Sequence, residues 1–174
     1  MNKNDLRKKY KLIRSNISNK ENKNKIIFDN IIKNEQIKKC KVIMTYISFN
    51  DEVDTLNLIN YFLDKKIIAV PKVNKDSMDF YIINSLKDLK KGTFGILEPT
   101  SNNKLNNFDN SVCIIPGICF DKKGNRIGYG KGYYDKYLKD KNIYKIGLCF
   151  KECLVNEIDS DTHDIKIDEI ISSK

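Results

Sequence analysis

The sequence is poor in the residues that build metal and redox centres. It has a single histidine, His163, and its cysteines form no C-x-x-C pair. Structural zinc sites and thioredoxin-type redox motifs need such pairs or clustered histidines. We therefore expect reduced cysteines with structural or incidental roles at all five positions, Cys40, Cys113, Cys119, Cys149 and Cys153.

Long apolar runs are also missing. A stretch such as Val112 to Ile115 is far shorter than the roughly 20 apolar residues that a membrane-spanning helix needs. The N-terminal segment "MNKNDLRKKYKLIR" is charged and has no apolar stretch behind it, so a secretory signal is not expected. A chain of 174 residues fits about one domain. We expect a soluble, cytoplasmic protein with one domain over residues 1–174.

The basic charge is spread along the chain. Lys and Arg total 32 and Asp and Glu total 23, which gives a net charge of +9. A nucleic-acid surface needs basic residues clustered on one face with aromatic residues between them, and this sequence distributes them over every segment. A basic nucleic-acid-binding protein is the alternative from another class. We expect instead a monomer that binds small anionic molecules, with no nucleic-acid or membrane partner.

The apolar pattern alternates between strand and helix periods. Amphipathic helices are predicted over 3–17 and, after a Ser18–Glu21 capping box, over the following isoleucine-rich stretch. Further helices are predicted at 53–66, 85–92 and 133–140, and strands at 41–48, 66–73, 78–84, 111–115, 144–150 and 164–171. This order predicts an α/β fold, with a largely parallel central sheet flanked by helices on both faces. The Asn-rich stretch 101–110 is predicted to be a mobile surface loop.

Three of only eight glycines stand at alternate positions, Gly128, Gly130 and Gly132, just before a predicted helix. Such a loop lets the backbone approach a ligand closely and aim its N–H groups at an anion, with the positive end of the helix behind it. The spacing matches neither the P-loop nor the Rossmann fingerprint. Phosphate binding and a glycine loop tightened for packing, with Tyr133 and Tyr134 as core aromatics, therefore remain open alternatives.

Charged residues flank this glycine loop. Arg126 and Lys131 could neutralise phosphate oxygens. Asp135, one turn into the helix, could hold a magnesium ion. The loop follows a buried strand that ends at Pro116 and Gly117, and open α/β sheets bind ligands beyond such strand ends.

The run "PGICFDKKGNRIGYGKGYYDKYL", from Pro116 to Leu138, resembles the signature P-G-x-x-F-D-x-x-G-x-R-x-G-x-G-x-G-Y-Y-D of the 5-formyltetrahydrofolate cyclo-ligase family. Three other segments resemble further parts of the family in the same order: "KNDLR" from Lys3, "YISFNDEVDT" from Tyr46, and "HDIKIDEII" from His163. Together these segments cover the chain from end to end.

The resemblance implies an ATP- and magnesium-dependent ligase. It would convert 5-formyltetrahydrofolate, including polyglutamylated forms, to 5,10-methenyltetrahydrofolate, ADP and phosphate. The formyl oxygen would accept the γ-phosphoryl group, N10 of the folate would attack the activated carbon, and phosphate would leave. A phosphoryl transfer of this kind is catalysed mainly by positioning and by cancelling charge on the phosphoryl oxygens.

The resemblance also implies roles for particular residues. The nucleotide contacts are Lys3, Arg7, Arg126, Gly128, Tyr129, Gly130, Lys131, Gly132, Tyr133 and Tyr134. The folate contacts are Ile47, Glu52, Tyr129, Gly130, Lys131, Gly132 and Tyr133. The catalytic residues are Lys131, Arg126 and Tyr133, and the magnesium ligands are Asp135 and Asp164.

Simpler interpretations of several of these residues exist. Without the resemblance, Lys3 and Arg7 would be the solvated face of a basic helix, Glu52 a helix-start acid, and Asp164 a surface-turn residue. His163 is expected to be structural, because the proposed chemistry needs no imidazole. A relative that keeps the fold without the activity is a further alternative, but the intact arginine, glycine and aspartate set of the signature argues against it.

Overall fold

The structure is a computed structural model that describes all 174 residues. The helices are α1 (Lys3–Ser15), α2 (Lys20–Lys33), α3 (Glu35–Lys39), α4 (Leu56–Phe62) and α5 (Tyr133–Leu138). The strands are β1 (Val42–Thr45), β2 (Ile67–Asn74), β3 (Ser77–Ile83), β4 (Leu89–Lys91), β5 (Leu97–Pro99), β6 (Ser111–Ile115), β7 (Cys119–Asp121), β8 (Arg126–Ile127), β9 (Tyr144–Cys149), β10 (Leu154–Val155) and β11 (Glu169–Ser172). None of the helices is both long and apolar enough to span a membrane.

Six strands form the central sheet, in the order β11-β9-β6-β1-β2-β3. Every neighbouring pair is parallel except β2 and β3, which form an antiparallel hairpin at one edge. In the middle of the sheet, Ile43 of β1 lies between Val112 of β6 and Ile68 of β2. The prediction of a largely parallel sheet is confirmed.

Both faces of this sheet are buried. Successive residues of a strand point to opposite faces, so Val42 and Met44 join one apolar cluster while Ile43 joins the other. Leu6 of α1 and Leu138 of α5 pack in the first cluster, and α2, α3 and α4 cover the second. Full burial of a large apolar side chain stabilises the folded state by about 1.5–3 kcal/mol. Helices therefore flank the sheet on both faces, as predicted.

Two helix predictions are wrong in detail. The second helix has no Ser18–Glu21 capping box, because Asn19 adopts a left-handed conformation (φ 57°) and is itself the N-cap residue. Over 85–92 only a single 3-10 turn forms, which Ser85 and Asp88 cap. The chain then pairs as β4 with β5, because the N–H of Gly92 donates to the carbonyl of Ile96 and closes a hairpin there.

Two further segments differ from the expectations. The final strand, β11, is shorter than the predicted 164–171, because the backbone before it does not pair with the central sheet. Instead, the N–H of Ile167 donates to the carbonyl of Gly124 at 2.8 Å. The Asn-rich stretch lies along β3, where Leu105 is buried and its N–H donates to the carbonyl of Phe80 at 2.8 Å. The centre of this stretch is therefore anchored, and its movement stays a prediction.

A small hairpin of β7 and β8 leads into the glycine loop, and a buried carboxylate holds its turn. Asp121 is fully buried and accepts N–H bonds from Lys123, Asn125 and Ile158 and from the Asn125 amide, all at 2.8–2.9 Å. Burial alone would raise the pKa of Asp121, but these donors outweigh it and lower the pKa. All five cysteines are buried and unbridged, as expected.

We predict that Asp121→Asn lowers the free energy of unfolding at pH 7 by about 2–4 kcal/mol, because an amide N–H₂ would face backbone donors in a buried site. Since the folded-state pKa of Asp121 is lowered, its contribution is present above the unfolded-state pKa and is lost as pH falls through the folded-state value. Urea unfolding should show a smaller difference in the free energy of unfolding between wild type and variant at pH 3 than at pH 7. The exposed Asp109→Asn is the control, and equal effects of the two changes would contradict the prediction.

Candidate active site

Two buried arginines hold the turn at the end of β6. Arg14 of α1 donates from Nη1 to the carbonyl of Gly117 at 3.2 Å, and Arg126 donates from Nη1 to the carbonyl of Pro116 at 3.3 Å. The Nε atoms of both arginines are buried and have no hydrogen-bond partner. Burial lowers the pKa of Arg126, while the nearby Asp135 carboxylate, at 3.5 Å, opposes this shift. The turn thus sits between two cations.

The glycines of the loop meet different constraints. A Cβ on Gly128 would lie 2.6 Å from Nη1 of Arg126, and Gly130 (φ +101°) packs beside the Arg7 guanidinium. Gly132 also has a left-handed backbone (φ +69°), but a Cβ there would meet no atom within 4 Å. The close approach of Arg126 therefore accounts for Gly128 and the left-handed backbone for Gly130, while Gly132 combines such a backbone with open space.

The cations and tyrosines around this loop differ in their exposure and in their hydrogen-bond partners. Arg7 donates from Nε to the carbonyl of Gly128 at 2.9 Å, which ties α1 to the loop. Lys131 is exposed at the loop tip. The Tyr133 hydroxyl donates to the carbonyl of Lys75 in the β2–β3 turn at 3.1 Å. Tyr134 is half-buried, with the Arg126 guanidinium 5.8 Å from the centre of its ring.

A chain of three side chains links α1 to the segment after β1. The Tyr129 hydroxyl accepts from Nη2 of Arg14 at 2.8 Å and donates to Oε1 of Glu52 at 2.6 Å. The other Glu52 oxygen accepts the N–H of Phe49 at 2.8 Å. Burial raises the pKa of Glu52, against the opposing effect of these donors. Glu52 is thus a desolvated acceptor held in place and not the start of α4, which begins at Leu56.

The sequence interpretation missed Arg14. Its position seven residues after Arg7 puts both arginines on one face of α1, two helical turns apart, and that spacing was the available signal. The side chain of Ile47, in contrast, is only 6% exposed and belongs to an apolar core cluster. A ligand could therefore contact little of Ile47.

The second predicted metal ligand lies in a cluster of its own. Asp164 accepts from Nζ of Lys3 at 2.6 Å, and Lys3 also bonds Asp161 at 2.5 Å. His163 is largely exposed, with Nε2 3.7 Å from Oδ1 of Asp164. Although burial would raise the pKa of Asp164, the bonds from Lys3 and from the backbone prevail and lower it.

Asp135 lies beside this cluster without joining it. Its Oδ1 accepts the N–H of Ile165 at 3.0 Å, so its anchor is the residue next to Asp164. One carboxylate oxygen each from Asp161 and Asp164 and a nitrogen of His163 lie within 4.8 Å of one another. Carboxylate oxygens are what magnesium prefers, and here they already neutralise one cation, the Lys3 ammonium. This donor set fits a hard divalent cation.

Comparison with known proteins identifies the family. A sequence profile of the 5-formyltetrahydrofolate cyclo-ligase family matches residues 1–173. The mouse 5-formyltetrahydrofolate cyclo-ligase is 33% identical over 162 residues, which are 84% of this chain and 80% of the mouse protein. The chain belongs to the 5-formyltetrahydrofolate cyclo-ligase family. It is therefore an enzyme of the ligase class, with an α/β fold and 5-formyltetrahydrofolate cyclo-ligase activity.

Solved structures agree with this assignment to the cyclo-ligase family. The NMR structure of Aquifex aeolicus 5,10-methenyltetrahydrofolate synthetase matches with a TM-score of 0.89 and 32% identity, over 100% of this chain and 91% of that one. The synthetase from Mycoplasma pneumoniae matches with a TM-score of 0.80 and 25% identity, over the full length of both chains. The resemblance drawn from the sequence motifs is confirmed.

The cyclo-ligase signature divides into scaffold and site. Asp121 holds the hairpin turn, and Gly124 (φ +83°) is required because a Cβ there would lie 2.3 Å from the carbonyl oxygen of Ile167. Arg126 bonds the carbonyl of Pro116 just after β6, and the three loop glycines follow it in the chain. The first half of the signature thus builds the support for the second half.

We predict that Gly124→Ala and Gly132→Ala separate stability from activity in this cyclo-ligase. Gly124→Ala creates a backbone clash and should cost about 3 kcal/mol or more of unfolding free energy. Gly132→Ala has room and should cost only about 1 kcal/mol for its left-handed backbone, yet its methyl group enters the space beside the loop and should lower turnover. Thermal unfolding and activity measured on both variants check this, and a stable, fully active Gly132→Ala would contradict it.

Proposed function

We propose that residues 1–174 form one domain that couples phosphoryl transfer from ATP to ring closure, converting 5-formyltetrahydrofolate to 5,10-methenyltetrahydrofolate with release of ADP and phosphate. The observation that supports this most directly is the convergence at one glycine loop of a cationic side, formed by Arg7 and Arg126, and an acceptor side, formed by Glu52 and Tyr129. The same loop therefore borders a cationic site that suits an anionic substrate and an acceptor site that suits a substrate with hydrogen-bond donors.

The cationic side is where we place ATP. Arg7 bonds the loop through Nε and Asn4 through Nη1, which leaves Nη2 to donate to phosphate oxygens. Lys131 is exposed at the loop tip and free to approach the γ-phosphate. Lys3 stands on the same helix as Arg7, one turn earlier. Arg126 is fixed in the wall behind the glycines, where its charge acts from a buried position.

The acceptor side is where we place the folate. A desolvated carboxylate such as Glu52 can accept hydrogen bonds from the N–H groups of the pterin ring. The Tyr129 ring is 44% exposed and offers a flat apolar surface next to that carboxylate. Ile47 supports this wall from the core side. Tyr133, anchored at its hydroxyl, is placed between the two substrates.

The reaction then proceeds by transfer and closure. The formyl oxygen attacks the γ-phosphorus, the bond from that phosphorus to the β,γ-bridging oxygen breaks, and ADP leaves. N10 attacks the formyl carbon, the C–O bond to phosphate breaks, and loss of the N10 proton leaves the methenyl bridge. Lys131 and Arg126 offset the negative charge on the transferred group.

Magnesium is proposed to bind at Asp164, with Asp135 beside it. The carboxylate pair of Asp161 and Asp164 suits a hard cation, and Lys3 holds that pair in the free protein. Bound magnesium would neutralise phosphate oxygens of ATP. Release of Lys3 from the carboxylates would let its ammonium turn toward the nucleotide.

The proposal extends to the setting of the enzyme. It acts as a monomer in the cytoplasm on small molecules, and polyglutamylated 5-formyltetrahydrofolate is among its substrates. The basic surface, with a net charge of +9, would attract both ATP and a polyglutamate tail.

We predict that the purified protein, given 5-formyltetrahydrofolate, ATP and magnesium, raises the near-ultraviolet absorbance of the methenyl product. The same reaction should release one phosphate for each methenyl group formed. Omission of ATP is the control. No absorbance rise, in a buffer where a known cyclo-ligase is active, would overturn the proposed function.

The metal assignment is tested with Asp164→Asn and Asp135→Asn. Each change removes a carboxylate charge, so the magnesium concentration needed for half-maximal activity should rise at least about tenfold. The exposed Asp159→Asn, close in sequence, is the matched control and should leave the magnesium titration unchanged. Unchanged titrations for both site variants would remove these residues from the metal site.

A further inference from the structure

Arg14 is the residue of this region for which the proposed chemistry has no role. It is a charged side chain that is 92% buried, with 8% of its surface exposed, and it lies in a narrow cavity lined by Tyr46, Glu52 and Gly117. Burying a cation costs several kcal/mol unless it is paired and hydrogen-bonded. Such a residue is expected to have a specific partner.

The partner is reached through one hydroxyl group. Nη2 of Arg14 donates to the Tyr129 hydroxyl at 2.8 Å, and because that oxygen is occupied as an acceptor, its proton is directed to Oε1 of Glu52 at 2.6 Å. Nη1 of Arg14 is fixed by the carbonyl of Gly117, so the guanidinium cannot turn away. The geometry sets both the orientation of Tyr129 and the rotamer of Glu52.

Arg14 is also the one cation among the residues that line this cavity. The other ionisable side chains that face Glu52 are Tyr46 after β1, Tyr129 in the glycine loop and Tyr134 on α5, all of whose pKa values burial raises, so they are neutral near pH 7. The thiol of Cys153 faces Arg14, and burial raises its pKa to about 11. The positive charge that favours ionised Glu52 therefore comes from Arg14.

We propose that Arg14 is a positioning residue that acts through the Tyr129 hydroxyl to orient Glu52 and that holds a positive charge near it, and so determines affinity for the folate substrate and not for ATP. The inference rests on the proposed function for the identity of that substrate. Tyr129 becomes the link in a relay of three groups, and the Arg14–Gly117 bond joins this relay to the end of β6.

The test compares Arg14→Met and Arg14→Lys with Lys8→Met, an exposed position on the same helix. Arg14→Met should raise KM for 5-formyltetrahydrofolate by about tenfold or more, the effect expected on loss of a hydrogen bond from a charged group, and should change KM for ATP less than about twofold. Arg14→Lys keeps the charge but not the two-point fork, so it should recover part of the loss. Lys8→Met should match wild type.

A double-mutant cycle with Tyr129→Phe distinguishes a role of Arg14 that depends on the Tyr129 hydroxyl from a role in packing helix α1. If Arg14 acts through this hydroxyl, Arg14→Met together with Tyr129→Phe should weaken folate binding no more than the more damaging single change. Additive effects, or an equal rise in both KM values, would overturn the proposal and make Arg14 a packing residue of α1.

A titration that needs no turnover keeps this test separate from the proposed function. With ¹³C-labelled glutamate, and Glu52→Gln to assign the resonance, the apparent pKa of Glu52 should be higher in Arg14→Met than in the wild type. An unchanged pKa would overturn the relay even in an active enzyme. A raised pKa in a protein that makes no methenyl product would support the relay while the proposed function fails.

Discussion

The candidate site depends on two hydrogen bonds to the backbone carbonyls of the turn after β6. Parallel strands end with carbonyl groups directed toward ligand space, and here the carbonyls of Pro116 and Gly117 are each bonded by a buried arginine. These two guanidiniums come from opposite directions, Arg14 from the N-terminal helix and Arg126 from the hairpin after the turn. If either left, a carbonyl in low-dielectric surroundings would lose its donor, which is costly.

The consequence is a division of labour among the cations. Buried Arg14 and Arg126 are committed to structure and act at a distance, while Arg7 and Lys131 remain partly or fully exposed. A buried charge gains field strength because water does not screen it, and an exposed charge gains freedom to follow a ligand. A phosphoryl-transfer site uses both kinds, since it has to hold one end of the nucleotide and follow the other. The acidic groups divide in the same way, with Asp121 bonded wholly to scaffold and Asp164 held only by groups at the surface.

The sequence predicted the alternation of strands and helices well, because β1 and β6 are buried on both faces and read as unbroken apolar runs. It placed the candidate site at the glycine loop and its neighbours because that motif is local, and this placement stays a prediction. It failed over 85–92, where a hairpin bond from the N–H of Gly92 to the carbonyl of Ile96 overrides a helical pattern, and at Asn19, whose left-handed backbone displaced the expected cap. The sequence did not predict a role for Arg14, because its partners, Gly117 and Tyr129, are more than a hundred residues away in the chain.

The bond from Lys3 to Asp164 spans 161 residues of sequence. The candidate site therefore joins helix α1 to the segment before β11, and both must be present before the carboxylate proposed to bind metal meets the helix that carries Arg7. During synthesis the N-terminal helix emerges long before Asp164 does, so it has to wait without its final partner. The proposed metal site can therefore form only after the segment that holds Asp164 has been synthesised.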